Sequence, residues 1–451
     1  VRSIHPGFEK DTTMKGVIGI RREDLDVAEQ RAPLSPQQVG TLAAQGIRVL
    51  VEPAVNRVFR DAEFQEAGAV LTDDLGEANI IFGAKEVPLE RIMPGQTYCF
   101  FSHTIKGQVH NMPMLRRFLE QRATLFDYER VVDEKGRRLI FFGRWAGITG
   151  MIRSLWAWGQ RMHWEGVETQ FADIRRAFEY GSLQEALKAV RTIGRRIAVE
   201  GLPAGVVPFV CGFAGYGNVA RGAREVFDLL PVREIAPRDL PGLVAARETA
   251  RSRHEVYKVV FREEHIVRPR DPGGRFDLDD YYRHPRVYES SFGEHYPLLS
   301  ILVNANYWAP CYPRLVTFDL LRALYADGNI PRPRVIGDIG CDVRGAIECT
   351  VRTSTLDDPV YVCDPVTETA TSGWAGRGPV VLAVDRLPNE FAREATQSFG
   401  ETLLPFLPEL AEADLSSPYE ELVLPDPFRK ALIAQAGQLT PEYRYLESFL
   451  S

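Results

Sequence analysis

VVPFVCGFAGYGNVARG, residues 206–222, is the stretch on which the reading of this chain turns. An apolar, partly β-branched run through Val206, Val207, Phe209 and Val210 leads into Gly215, Tyr216 and Gly217, and the chain then continues in a helical pattern, AREVFDLL. Strand, glycine turn and helix in this order make a cradle for phosphate. The glycines let the backbone approach a pyrophosphate, and the N–H groups and positive dipole end of the helix hold its charge. Ala220 stands where the pattern has its third glycine, and a methyl there still permits close packing of helix on strand. The stretch is read as a dinucleotide site contributed by Gly215, Gly217, Asn218 and Val219, with an ordinary βα turn as the plainer alternative.

Outward from the turn, residues 232–235 form the expected second strand, and sites of this kind carry a ribose-reading side chain at that strand's end. Here the end reads Ala236, Pro237, Arg238, Asp239. Arg238 suits a 2'-phosphate, which favours NADPH over NADH; the alternative makes Arg238 a solvated cation and leaves the ribose to Asp239 or Glu234. Further strands are expected at 299–303 and 334–340. The latter carries Asp338, with Asp342 and Glu348 beyond it, and ligands of open α/β sheets lie at such carboxyl ends. Residues 250–295, polar and rich in Arg, His and Tyr, read as an insertion or a long excursion before the next core strand. Upstream, Ser182 and Glu185 form a capping box that opens a helix to about residue 198. Residues 143–150, GRWAGITG, break the pattern and read as the passage between domains, followed by an aromatic-rich helix over 151–163.

The N-terminal part has its own α/β alternation. Strands are expected at 16–20, 47–53, 79–82, 97–101 and 124–127, and helices at 112–121 and from Ser35, where Pro36 and a capping-box Gln38 mark the start. At 451 residues the chain is too long for one core. Its 45% hydrophobic and 25% charged residues are those of a globular protein, and a net charge of −7 with no basic tract argues against a nucleic-acid partner. The opening VRSIHPGFEKD lacks a leader-type apolar core and no run of about 18 apolar residues occurs, so no membrane association and a cytoplasmic location are expected. Six scattered cysteines without a CxxC pair read as reduced thiols, and eight histidines without ligand spacing give no metal site.

Titratable residues gather at strand ends in four N-terminal fragments. Lys85 and His103 each follow closely on an apolar strand-like run, which places both at one edge of a parallel sheet, with Arg31 and Lys106 nearby in the pattern. Isolated, each would be a solvated lysine or a satisfied histidine; together they suggest a site.

The motifs EQRAPLSP, GAKEVP, FFSHTIKGQ, FDYERVVDEKGRRLIFFGRWAGITGM, GNVARGA and GDIGCDVRGAIE, in this order, resemble those of the lysine-2-oxoglutarate reductase (saccharopine-forming) family within the alanine dehydrogenase and saccharopine dehydrogenase superfamily. YYRHPRVYESSF and NANYWAPCYPRLVT resemble the reductase branch in particular. The resemblance implies reductive condensation of L-lysine with 2-oxoglutarate to saccharopine in lysine degradation, with NADPH reducing the imine. It implies Lys85 and His103 as the acid–base pair, Arg31 as the carboxylate-binding arginine, Lys106 as a second positive contact, Glu29 and Glu129 as partners of the amines or of Lys85, and Asp342 as an acid near nicotinamide or substrate. Members are often fused to a saccharopine dehydrogenase domain; this chain is expected to be the free-standing reductase.

The expected fold is α/β, with two Rossmann-like domains and a cleft between them. A central dinucleotide-binding domain, 146–379, is inserted into a catalytic domain made of 1–145 and 380–451. Two other readings stand beside it: another amino-acid or opine dehydrogenase of the same superfamily, and a nucleotide-sensing protein without catalysis. Whether the chain forms a homo-oligomer the sequence leaves open.

Overall fold

The computed structural model describes residues 16–25 and 28–450; the leader-free reading of residues 1–11 lies outside them. The chain divides into two compact units, one running to Phe142 and resuming at Ala392, the other Gly143–Phe391.

The first unit is built on β1 (Val17–Ile20), β2 (Arg48–Val51), β3 (Val70–Leu71), β4 (Ile80–Phe82), β5 (Thr97–Phe100) and β6 (Thr124–Asp127). They lie side by side in the order β6-β5-β4-β1-β2-β3, all parallel, which is the doubly wound order 3-2-1-4-5-6 seen from the other side. A hairpin of Leu432–Gln435 and Gln438–Leu439 extends the sheet antiparallel to β6. Strands buried on both faces read as unbroken apolar runs, as β4 and β5 do. The helix Pro36–Ala44 starts where expected: the Ser35 N–H donates to Gln38 Oε1 at 2.8 Å, the return arm of a capping box.

The second unit carries β7 (Phe209–Ala214), β8 (Val232–Glu234), β9 (Val256–Phe261), an antiparallel pair β10 (Val267–Pro269) and β11 (Tyr288–Ser290), then β12 (Ile301–Asn304), β13 (Val335–Asp338), β14 (Val360–Cys363), β15 (Ala370–Ser372) and β16 (Val380–Leu382). Its main sheet runs β15-β14-β16-β13-β12-β7-β9-β8, parallel from β16 to β8, with β14 and β15 antiparallel at one edge.

Three expectations need correction. Residues 250–295 are not wholly an excursion, because β9 lies within them and pairs along its whole length with the glycine-turn strand β7. The apolar run VYKVVF was masked by its polar neighbours. The second unit does not end at 379: β16 pairs with β13 in its sheet, so the return falls at Ala392. The third concerns residues 143–150, which form no break but the first turns of one helix, Gly143–Trp164. Their glycines serve packing. A Cβ on Gly147 would lie 1.9 Å from the Val219 carbonyl oxygen, and one on Gly222 2.0 Å from that of Arg144, so this helix and Asn218–Phe227 touch backbone to backbone.

The helix from Ser182 runs over Leu183–Glu200, with the Ser182 hydroxyl accepting from the Glu185 N–H, while the Glu185 carboxylate reaches back to the Gly181 N–H. All six cysteines are free thiols. Among the described residues no helix is long and apolar enough to cross a membrane.

Gly147→Val should cost at least about 1–3 kcal/mol through overpacking, read as a drop in Tm of several degrees. Gly205→Ala, where a Cβ meets nothing within 4 Å, is the control and should leave Tm within about one degree.

Candidate active site

In the first unit four neighbouring parallel strands deliver their following residues to one sheet edge. Beyond β1 comes Glu23, beyond β4 Lys85, beyond β5 His103 and beyond β6 Glu129. The parallel order therefore gathers residues that are up to about a hundred positions apart in the chain.

Glu23 fixes the backbone at the lysine. Its carboxylate accepts from the N–H groups of Ala84 at 2.6 Å and Lys85 at 3.1 Å, and from Arg21 Nη1 at 3.2 Å. Burial pushes its carboxyl up, with Arg21 and the two amides opposing. His103 has a left-handed backbone, φ 52°, a conformation that costs of order 1–3 kcal/mol outside glycine and is often kept where function needs it. The turn is held by Asn111 Nδ2 donating to the His103 carbonyl at 2.9 Å. The imidazole stacks on Phe101, and its Nδ1 meets Glu86 Oε1 at 2.5 Å. Burial alone would lower the imidazole pKa; the hydrogen bond and charge of Glu86, helped by Glu129 and opposed by Lys85, overcome it and raise it. For Glu86, burial is likewise outweighed by His103, and its carboxyl is lowered.

Arg31 and Glu29 form a buried fork. Arg31 Nε donates to Glu29 Oε1 at 2.7 Å and Nη2 to Oε2 at 2.6 Å, and the guanidinium lies 4.1 Å from the Phe142 ring centre. Burial would raise Glu29, but the Arg31 contacts and the charge of Lys85 bring it below its ordinary value. Glu129 accepts from Arg138 at 2.7 Å through Oε1, while its Oε2 is buried without a hydrogen-bond partner. Asp127 is fully enclosed, accepts from Ser102 at 2.5 Å, and is pushed up to about 6 chiefly by burial.

The structure thus brings Glu29, Arg31, Lys85, His103 and Glu129 into one electrostatic group. Lys106 is different: it is exposed on the one-turn helix Thr104–Lys106. Glu86 and Asp127 lie in the titratable fragments read at strand ends, 83–88 and 126–129, but were given no role; Glu23 was missed, since it reaches the group only through strand order.

In the second unit Gly215 (φ 103°) has no room for a side chain, since a Cβ would fall 2.5 Å from Asn306 Oδ1. Gly217 differs: a Cβ there would meet nothing within 4 Å, so the ground before the helix is open. Gly217 is also the N-cap of Asn218–Phe227, and no side chain caps that helix. Uncapped N–H groups facing open space fit a pyrophosphate. Asn218 Oδ1 accepts from Arg221, and Val219 packs against the neighbouring helix at Gly143 and Gly147. Asp338, at the end of β13, is buried, with its oxygens accepting from Asn304 at 2.8 Å and Thr350 at 2.5 Å; burial raises it to about 6. It holds the strand ends together. Asp342 is exposed beyond it.

The strand premise behind Arg238 does not hold. β8 is the outermost strand, and the strand beside the glycine turn is β9, which ends at Phe261. Arg238 is 88% exposed, 4.0 Å from Asp239.

The second unit is thus an open α/β sheet with an uncapped helix behind a glycine turn, and the first an α/β sheet whose edge gathers ionisable side chains. The comparisons match this fold. The alanine dehydrogenase/PNT N-terminal domain family matches residues 19–149. An L-alanine dehydrogenase structure matches the fold with a TM-score of 0.60 at 18% identity, covering 96% of this chain and 100% of that one. Alpha-aminoadipic semialdehyde synthase of Arabidopsis thaliana is 37% identical over 98% of this chain and 42% of its own length; the mitochondrial protein of that name from Bos taurus is 34% identical over 98% and 49%. The chain spans about half the length of these relatives. Saccharopine dehydrogenase [NAD(+), L-lysine-forming] of Yarrowia lipolytica is 25% identical over 87% of this chain and 92% of its own. The similarity over nearly the whole chain is to the alpha-aminoadipic semialdehyde synthases, as the resemblance of its motifs implied.

His103 should titrate above its ordinary value of 6.5, and Glu86→Gln should move the midpoint down, followed by NMR of the imidazole Cε1–H. The sign for stability follows. The His103–Glu86 pair stabilises fully below the unfolded-state histidine pKa and loses that contribution as pH rises through the raised folded value, so the pH dependence in this window should flatten in Glu86→Gln. An unchanged midpoint would contradict the assignment.

Proposed function

We propose that this chain is an NADPH-using reductase that condenses L-lysine with 2-oxoglutarate to saccharopine. The observation that carries the proposal is the meeting of Lys85, His103, Glu129 and the Arg31–Glu29 fork at one sheet edge, supported by relatives named for alpha-aminoadipic semialdehyde synthase and for saccharopine dehydrogenase.

The reaction brings three carboxylates and two amines together and needs protons moved at the keto oxygen and at the attacking amine. Arg31 spends Nε and one Nη2 hydrogen on Glu29, which leaves the Nη1 side of its planar fork for a substrate carboxylate. Its paired acid and the Phe142 face hold the guanidinium still, so little entropy is lost on binding. His103, kept protonated by Glu86 to higher pH than a free imidazole, is the acid that donates to the departing hydroxyl of the carbinolamine. Lys85, anchored through its own amide by Glu23, places an amine beside it to relay the proton taken from the attacking nitrogen. The Glu129 oxygen without a hydrogen-bond partner is left to accept from a substrate ammonium. A bound dinucleotide supplies the hydride for the imine.

The test follows oxidation of NADPH and of NADH by the purified chain with L-lysine plus 2-oxoglutarate, and identifies the product by mass. Replacing lysine by alanine, ornithine or glutamate, and 2-oxoglutarate by pyruvate, separates the reading from another amino-acid or opine dehydrogenase. Nucleotide binding without turnover on any pair would favour a sensing protein. Lys85→Met and His103→Gln should each lower kcat by about 10²-fold or more, the usual scale for general acid–base groups. Near-normal kcat in both would overturn the acid–base assignment.

A further inference from the structure

The parallel strands of the second unit run, by order along the chain, 2-3-1-4-5-6 across the sheet, where the doubly wound pattern has 3-2-1-4-5-6. Strands two and three have exchanged places. The consequence bears on the ribose end of the cofactor, which is read at the end of whichever strand adjoins the glycine turn.

Register makes the argument quantitative. β9 pairs with β7 up to Ala214 opposite Phe261, and the Gly215 N–H donates to the Phe261 carbonyl at 3.2 Å. Arg262 is therefore the residue directly beside the turn. β8 ends at Glu234, opposite Lys258, which in turn lies opposite Cys211. The end of β8 thus stands two strands out, about 10 Å, and three residues short of the β7 end, about another 10 Å.

What stands at the end of β9 is organised around the turn itself. The Arg262 guanidinium lies 5.2 Å from the ring centre of Tyr216, the residue between the two glycines, which is 43% exposed. Arg262 is exposed, and among the described residues no carboxylate stands within ion-pair distance of it. Glu263 accepts from the Tyr216 hydroxyl at 3.2 Å and from the Tyr282 hydroxyl at 2.7 Å, so its oxygens are engaged by phenols. With Tyr282, Asn306 and Trp308 it lines a pocket of about 120 Å³, so the ground beside the turn is concave. An acid satisfied by hydroxyls and an exposed arginine over the ring of Tyr216 without a counter-charge make an anion site.

From this the geometry points to Arg262, not Arg238, as the residue that binds the 2'-phosphate of NADPH and sets the cofactor preference of the chain. The inference rests on the NADPH reading above. A guanidinium over the Tyr216 ring keeps N–H groups for the phosphate, and Glu263 fixes the tyrosine through its hydroxyl.

The test is binding, measured by titration calorimetry on the full chain with NADPH and NADH separately. The unsubstituted chain should bind NADPH more tightly. Arg262→Gln should weaken NADPH roughly 10- to 100-fold, the scale of one charge-assisted contact, and leave NADH unchanged. Arg262→Lys should keep part of the preference, and Arg238→Gln should leave both affinities unchanged. A preserved preference in Arg262→Gln, an equal loss of both nucleotides, or a collapse of preference in Arg238→Gln would overturn the assignment while leaving the NADPH reading standing. Equal affinity of the unsubstituted chain for both nucleotides would overturn the NADPH reading itself and the assignment with it.

Discussion

The second unit depends on the close approach of two helix backbones. With Gly147 and Gly222 at the crossing, carbonyl oxygens lie where side chains would otherwise stand, and the helix Asn218–Phe227 is held against the helix Gly143–Trp164. The same long helix rests on the sheet, where a Cβ on Gly337 of β13 would lie 2.3 Å from Ser154 Oγ, and Gly159 meets the Phe171 carbonyl in the same way. Close-packed interiors do not yield continuously. The N-terminus that follows the glycine turn is therefore placed by steric contact along a whole helix, and its N–H groups can wait for an anion without a side-chain cap.

The first unit solves a different problem, that of holding opposite charges together out of water. Glu23, Glu29, Glu129 and Asp127 are all largely buried, and burial opposes their ionised forms. Where a bidentate arginine fork is present, at Glu29, the charge is restored; at Glu23, with a single Arg21 contact and two amides, and at Asp127, with a hydroxyl and an amide, burial prevails and the carboxyl stays raised. Charge pairs and raised acids within one cluster give groups that titrate in different ranges, which is what proton-moving chemistry needs. Lys85 and His103 lie among these acids, and the left-handed backbone at His103 turns its imidazole toward Glu86.

Much of this was legible along the chain. The capping box at Ser35, the strand positions of the first unit and the glycine turn are local features, written in neighbouring residues, and Lys85 and His103 could be set at one edge because each follows its strand directly. Residues 143–150 misled because glycine spacing signals a break when read locally and signals contact when a second helix supplies the other backbone. Residues 250–295 misled because the five apolar residues of β9 are interrupted by Lys258 and diluted by a polar surround. Glu23 and Glu263 gave no local signal.

The sequence by itself determined the capping boxes at Ser35 and Ser182, five of the six parallel strands of the first unit, the glycine turn at Gly215 and Gly217, and which ionisable residues follow those strands, because these are set by side-chain pattern within a few residues. Only the tertiary structure decided which strands are neighbours. That choice places Arg262 rather than Arg238 beside the cradle and gathers Glu23, Lys85, His103 and Glu129 at one edge. Parallel strands joined by long crossovers can be ordered in more than one way with the same local pattern, and the order is set by packing among segments far apart in the chain.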